Sequence, residues 1–216
     1  MDAFVTFDSP AAWALALLVG YLLGSLPFGL WISRLRGVDI MSVGSGNPGM
    51  TNVWRTLGWK PAIPVALLDT LKGVFAAWAG ALLTGSALWA LLAGIAAVLG
   101  HSFSFWIRFK GGKSVLTAFG VFLFLSPVAS LLAFAVWIFV MAVSGYVSLS
   151  SMLAAVALPL LVVWKSHAAG TESAESALTP VFWAALLVAI FILIRHRANI
   201  GRLVRGEEPK FRGKAS

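Results

Sequence analysis

Long stretches of this chain carry no charge at all, and several approach the roughly 20 residues that an α-helix needs to cross a lipid bilayer. Of its 216 residues, 60% are apolar and only 11% are charged, and a soluble core cannot cover that much hydrocarbon. The chain therefore reads as an integral membrane protein. Disorder, a coiled coil and a secreted disulfide scaffold are excluded. Cysteine is absent, so disulfides, thiolate metal sites and a cysteine nucleophile are excluded as well.

Apolar runs bounded by charges and helix breakers lie near 10–32, 61–83, 86–107, 114–126, 128–143, 147–164 and 179–194. They predict an all-α, polytopic helix bundle with seven transmembrane helices, forming a single membrane domain over 1–216. The first run has no basic leader and is too long for the hydrophobic part of a signal peptide, so it reads as a retained span. One helix over 114–143, kinked at Pro127, would reduce the count to six. Charge decides between the two counts, because basic residues mark the cytoplasmic ends of short-loop membrane proteins. With seven spans, 14 of the 16 basic residues fall on one side: Arg34, Arg36, Arg55, Lys60, Arg108, Lys110, Lys113, Arg195, Arg197, Arg202, Arg205, Lys210, Arg212 and Lys214. Lys72 lies within a span, and Lys165 shares the far side with Asp2, Asp8, Glu172 and Glu175. This places the amino end outside and the carboxyl end in the cytoplasm, with cytoplasmic segments at 33–60, 100–117 and 195–208. The net charge of +8 is then mostly a topology signal whose partner is the anionic lipid surface, not nucleic acid.

The three cytoplasmic segments depart from plain loop composition. In Gly44-Ser45-Gly46-Asn47-Pro48-Gly49-Met50-Thr51-Asn52, glycines alternate with small hydroxyl and amide side chains. Glycine lets successive N–H groups converge on an anion, Ser45, Asn47, Thr51 and Asn52 add donors, and Arg55 adds a forked cation suited to phosphate. The bland alternative is a flexible turn. The second segment joins Gly100-His101 to Phe109-Lys110-Gly111-Gly112-Lys113-Ser114, with glycines and cations ahead of a helix whose amino end attracts phosphate. Its Gly112-Lys113-Ser114 ends like a nucleotide P-loop, but Ile107 stands where the glycine is needed and no strand precedes it. A positive-inside anchor would explain the lysines, though not the glycines between them. The third segment runs from Arg195-His196-Arg197-Ala198-Asn199 to Glu207, and its plain reading is a lipid-binding basic tail. Three such segments on one face of a small bundle add their potentials at a single anion. A phosphate-bearing substrate at the cytoplasmic surface is the function these residues support.

The same residues resemble the PlsY-type glycerol-3-phosphate acyltransferases of bacteria nearly end to end. The family's motifs read S-G-S-G-N-x-G-A-T-N, G-H-x-x-P-x-x-x-x-F-K-G-G-K-G and R-H-x-x-N-I-x-R-L-x-x-G-x-E. Here Met50 stands for alanine in the first, and Ser104 and Ser114 stand for proline and glycine in the second. The third is matched through Leu203, with Gly206 and Glu207. The resemblance implies acyl transfer from an acyl-phosphate to glycerol 3-phosphate at a bacterial inner membrane, giving 1-acyl-glycerol 3-phosphate and phosphate. The three histidines lie far apart in sequence and the eight carboxylates do not group at ligand spacing, so no metal or cofactor is expected, and no obligate protein partner is evident.

A mixed anhydride loses phosphate readily, so positioning and charge neutralisation matter more than a strong acid. In the mechanism this suggests, Arg55 and Lys110 hold the phosphate groups, helped by Lys113, Gly111, Gly112 and the 44–52 backbone with Gly44, Gly46, Asn47, Thr51 and Asn52. Ser45 and Asn199 orient the glycerol, and Ser148 is a further donor to phosphate. His101 or His196 is the base for the hydroxyl, by virtue of intrinsic pKa, unless a substrate phosphate takes the proton. Asp69 and Lys72, three residues apart on one span, read as a neutralising pair. His167 with Glu172 mimics the His-x4-acid signature of unrelated acyltransferases and reads as coincidence. Trp31, Trp59, Trp106 and Trp164 read as interfacial anchors. The chief alternative function is a transporter or channel for a phosphate-bearing solute, which needs charge along a path that these spans lack apart from Asp69 and Lys72.

Overall fold

The computed structural model describes residues 9–168 and 179–211, which fall into two compact units divided between Leu125 and Ser126. In the first unit Ser9 caps helix α1 (Pro10–Ser25), its hydroxyl accepting from the Ala12 N–H at 3.3 Å, while Pro10 fits a first turn whose N–H has no helical partner. The run expected to be continuous over 10–32 is broken at Pro27. That residue has no N–H to donate and drives Leu26 to φ −57°, ψ 115°, off the helical path. The chain resumes as α2 (Phe28–Arg34). A loop and the short helix α3 (Met50–Leu57) follow, and Gly58 at φ 86° turns the chain into α4 (Trp59–Thr84), which ends at Gly85 in the left-handed region. Helix α5 (Ala87–Ser102), a single 3₁₀ turn (Phe105–Ile107) and α6 (Val115–Leu125) complete the unit.

Within lipid, apolar side chains gain nothing by leaving hydrocarbon for one another, so helices associate where small residues let backbones touch. A Cβ on Gly20 would lie 2.3 Å from the Ala93 carbonyl oxygen, and one on Gly24 would lie 2.1 Å from that of Ala97. Helix α1 thus rides directly on the α5 backbone. Helices α4 and α6 meet the same way, with Gly73 against the carbonyl of Thr117 and Gly120 against that of Thr70. The large side chains are displaced outward: Leu67, Phe75 and Trp78 are exposed, while Ala76, Ala77, Ala90, Ala93 and Ala97 are fully buried.

The second unit pairs α7 (Pro127–Ser144) with α8 (Val147–Ala168), and α8 with α9 (Pro180–Arg195). Helix α10 (Arg197–Val204) continues from α9 after a bend of 59° at His196. Helices α6 and α7 are separate, broken at Ser126 ahead of Pro127, so 114–143 is not one helix. Lipid-facing side chains again dominate the surface, among them Phe139, Val143, Leu160 and Leu187.

Helices occupy all seven apolar runs. Five described segments are long and apolar enough to cross a membrane, counting Pro10–Arg34 as one, and the bent α9–α10 pair makes a sixth. Helix α6, at 11 residues, rises only about 16 Å, well short of a bilayer core. Asp2, Asp8, Glu172, Glu175, Arg212 and Lys214 lie outside the described residues, and with Glu172 so does the His167–Glu172 comparison.

Gly24→Leu forces a side chain into the α1–α5 contact. It is expected to destabilise the protein by about 3 kcal/mol, on the order of 10 °C in Tm, in a thermal-shift measurement in detergent. Leu67→Ala, on the lipid face, is expected to leave Tm nearly unchanged.

Candidate active site

The first glycine-rich loop is built by its own asparagine. Asn52, buried at 3% exposure, accepts the Ser45 N–H at Oδ1 (2.9 Å) and aims Nδ2 at the carbonyls of Asn47, Val43 and Ile40 at 3.0, 3.1 and 3.2 Å. Its two N–H groups therefore serve three loop oxygens. Asn47 accepts the Gly49 N–H at 2.8 Å in the turn that starts α3. Both amides were expected to face the ligand, yet Asn52 is consumed in shaping the loop. Gly44 and Gly46 hold φ 59° and 63°, conformations open to glycine, and they leave Ser45 exposed at the loop's tip. Helix α3 buries Val53 among Leu30, Ile40, Ala62 and Val65. That anchoring turns Arg55 outward, one helical turn after Thr51.

The second segment folds back on the end of α5. The N–H groups of Gly111 and Gly112 donate to the carbonyls of Ser102 and His101, both at 3.0 Å, satisfying oxygens that a helix end leaves without partners. A Cβ on Gly111 would lie 1.9 Å from the His101 carbonyl oxygen, and one on Gly112 would lie 2.2 Å from His101 Nε2. These glycines are thus required by close approach to α5, and their N–H groups are spent there instead of converging on an anion as expected. Lys110 is exposed and Lys113 half-buried on either side of them. The same loop contains Arg108, Phe109 and Ser114 at φ 52°, 63° and 61°, which are the non-glycine residues with positive φ among those described. Each such residue costs about 1–2 kcal/mol.

The two segments meet. Pro48 of the first loop and His101 of the second line one narrow cleft, together with Ser25, Phe28, Asp69 and Ser104. Asp69 Oδ1 stands 2.8 Å from Lys72 Nζ and 3.7 Å from His101 Nδ1. Lys72 also donates to the Leu26 carbonyl at 2.9 Å and lies 5.6 Å from the Phe28 ring centre. The pair is therefore neutralised as the sequence suggests, and it also serves as a brace for the break between α1 and α2. At 3.7 Å the imidazole is beyond hydrogen bonding to Asp69 but within range of its charge.

In the second unit the organising residue is Glu208, buried beside the tail. Its Oε1 accepts from Ser148 Oγ at 2.7 Å and Asn199 Nδ2 at 2.6 Å, and Oε2 accepts from Arg202 Nε at 2.7 Å. Burial alone would raise this carboxyl's pKa, but those three hydrogen bonds and the Arg202 charge outweigh it and hold the group below the usual carboxylate range. Sequence reasoning stopped at Glu207, which is exposed and paired with Arg205 at 2.7 Å. Counted from Gly206, the G-x-E end of the third motif falls on Glu208, the signal that would have found it. Ser148 and Asn199, expected on a ligand, each commit a donor to this carboxylate. His196 is 3% exposed, with Nδ1 2.8 Å from the Ile192 carbonyl. A carbonyl only accepts, which assigns the proton to Nδ1 and leaves Nε2 as the basic nitrogen. Among the described residues, no three histidine or carboxylate side chains gather as a metal site.

A family model described as glycerol-3-phosphate acyltransferase matches residues 14–206. A glycerol-3-phosphate acyltransferase of Synechococcus sp. (strain JA-2-3B'a(2-13)) is 45% identical over 91% of this chain and 93% of its own. Glycerol-3-phosphate acyltransferase 1 of Deinococcus radiodurans is 44% identical over 94% and 97%. The crystal structure of PlsY, an integral membrane glycerol 3-phosphate acyltransferase, in its glycerol 3-phosphate form superposes with a TM-score of 0.81 at 37% identity, covering 92% of this chain and 94% of that one. Its lysophosphatidic acid form gives 0.78.

Because the native pKa of Glu208 lies below its unfolded value of about 4.3, its stabilisation is complete above that pH and fades as pH falls through the native value. Glu208→Gln is expected to remove that acid-side loss and to lower Tm at pH 7 by about 4–8 °C, for about 2 kcal/mol of charged hydrogen bonding. Thermal melts from pH 3 to 7 check both.

Proposed function

The chain belongs to the glycerol-3-phosphate acyltransferase family, and on that premise we propose that its acyl donor is an acyl-phosphate and its products are 1-acyl-glycerol 3-phosphate and inorganic phosphate. The observation that supports this reading is the cleft of the first unit, where the glycine-rich loop and the His101 segment converge next to Lys110 and Lys113. Phosphate is the one group that donor and acceptor share, and the cations Arg55, Lys110 and Lys113 carried by these two segments suit it. The attacking hydroxyl needs orientation and charge neutralisation, since the phosphate of a mixed anhydride is already a good leaving group.

In this scheme Arg55, Lys110 and Lys113 neutralise phosphate charge, and Ser45 with Gly44, Gly46, Asn47 and Thr51 orients the acceptor. Asn52, Gly111 and Gly112 act through loop shape. The proton of the hydroxyl passes to an imidazole, His101 or His196, or to a substrate phosphate. Arg55→Ala is expected to lower kcat/KM for glycerol 3-phosphate by at least about 10²-fold, from the loss of a charged bidentate contact, with Tm unchanged. Formation of acylated glycerol 3-phosphate by purified protein given acyl-phosphate, set against the same measurement with an acyl thioester, checks the donor. Near wild-type turnover by Arg55→Ala, or preference for the thioester, contradicts this scheme.

The positive-inside count supports seven crossings, with the amino end outside and the motifs at the cytoplasmic face of a bacterial inner membrane. The chain lacks cysteine, so single cysteines introduced at Ser42 and Ser166 report cleanly. In intact cells an impermeant maleimide is expected to label position 166 and to spare position 42. The reverse pattern refutes the orientation.

A further inference from the structure

Four buried serine hydroxyls tie the strained second loop to two helix ends. Ser114 Oγ donates to the Val98 carbonyl at 2.6 Å, so its single proton is used there, and Ser102 must donate across the 2.7 Å contact to Ser114. The carbonyl of Gly112 lies 3.1 Å from the same Ser102 hydroxyl and shares that proton. At the loop's other end Ser104 Oγ donates to the Ser25 carbonyl at 2.5 Å, and Tyr21 OH donates to the Phe103 carbonyl at 2.7 Å. Ser25 in turn donates to Tyr21 O at 2.7 Å. Ser25, Ser102, Ser104 and Ser114 are 0–1% exposed. Between these two anchors lie Arg108 and Phe109, in left-handed conformations that L-residues resist, with the phosphate-directed lysines next to them.

A segment with three left-handed non-glycine residues keeps its shape only if its surroundings over-determine it. We propose that Ser102, Ser104 and Ser114 form a latch that holds the 103–114 loop in its strained shape and thereby positions Lys110 and Lys113 for the phosphate of the acceptor. The three serines are positioning residues: their hydroxyls are committed to the Val98, Gly112 and Ser25 carbonyls and to one another, including that of Ser104 where it lines the cleft. The inference rests on the reading of the site as a glycerol 3-phosphate site. It requires that loosening the latch weaken substrate binding while sparing the chemical step.

The test uses the full chain, purified in detergent, with Ser104→Ala and Ser114→Ala measured separately because they release opposite ends of the loop. Each is expected to raise KM for glycerol 3-phosphate about tenfold, the effect of misplacing a charged contact, with kcat within twofold of wild type. Trypsin is expected to cut after Arg108, Lys110 and Lys113 several-fold faster in the variants than in wild type. Ser114→Gly, which relieves the left-handed strain but lacks the hydroxyl, is expected to show a smaller rise in cleavage than Ser114→Ala. Unchanged KM and cleavage in both alanine variants overturns the latch, as does a fall in kcat at constant KM or a fall in Tm alone. If Ser114→Ala does not fold, Ser104→Ala decides by the same criteria. If wild type turns over glycerol 3-phosphate with no donor, the acyltransferase reading fails, and the latch is then judged on cleavage rates alone.

Discussion

Wherever a chain interrupts a helix inside hydrocarbon, the freed carbonyl and N–H groups must find partners in the protein, because the lipid offers none. The first unit interrupts its helices at Pro27 and again after Ser102. At the first break the orphaned carbonyls of Ser25 and Leu26 are taken up by Ser104 and by Lys72. At the second, the carbonyls of His101 and Ser102 are taken up by the N–H groups of Gly112 and Gly111. Both repairs bring polar groups to the same small region, so satisfying the backbone is what assembles the cleft.

The electrostatics follow from that assembly. A lysine buried at 3% exposure is tolerable only beside a carboxylate, and Asp69 supplies it within one helical turn. That pairing leaves the Asp69 charge near His101, while Arg55 and Lys110 are exposed at the surface of the same unit. In the second unit the logic is reversed: there a buried carboxylate, Glu208, gathers Ser148, Asn199 and Arg202 and thereby ties the tail to the start of α8.

The helices were legible because apolar run length is a strong and local signal. All seven runs contain a helix, and the division at Ser126-Pro127 follows the charge count, since the proline alone is also compatible with a kink in one long helix. Pro27 breaks the first run in the structure, although the run's length alone reads as continuous. The motif positions were legible as motifs, but the work done by particular residues was not. Asn52, Gly111 and Gly112 were taken for ligand contacts because their chemistry allows it, whereas the fold spends them on neighbouring backbone. Which carbonyl lies opposite a glycine is decided by packing between segments far apart in sequence, and no single-chain pattern encodes it. Ser104 and Ser114, which stand where the resembled motif has proline and glycine, make hydrogen bonds that fasten the loop.

At the centre of the proposed function is the claim that the two loops of the first unit grip the phosphate of glycerol 3-phosphate. The most direct measurement is an experimental structure of this chain with glycerol 3-phosphate bound. The account predicts phosphate oxygens in hydrogen-bonding contact with Lys110 and with Arg55 or the Ser45 loop. A phosphate bound elsewhere, with these side chains left in solvent, would contradict it.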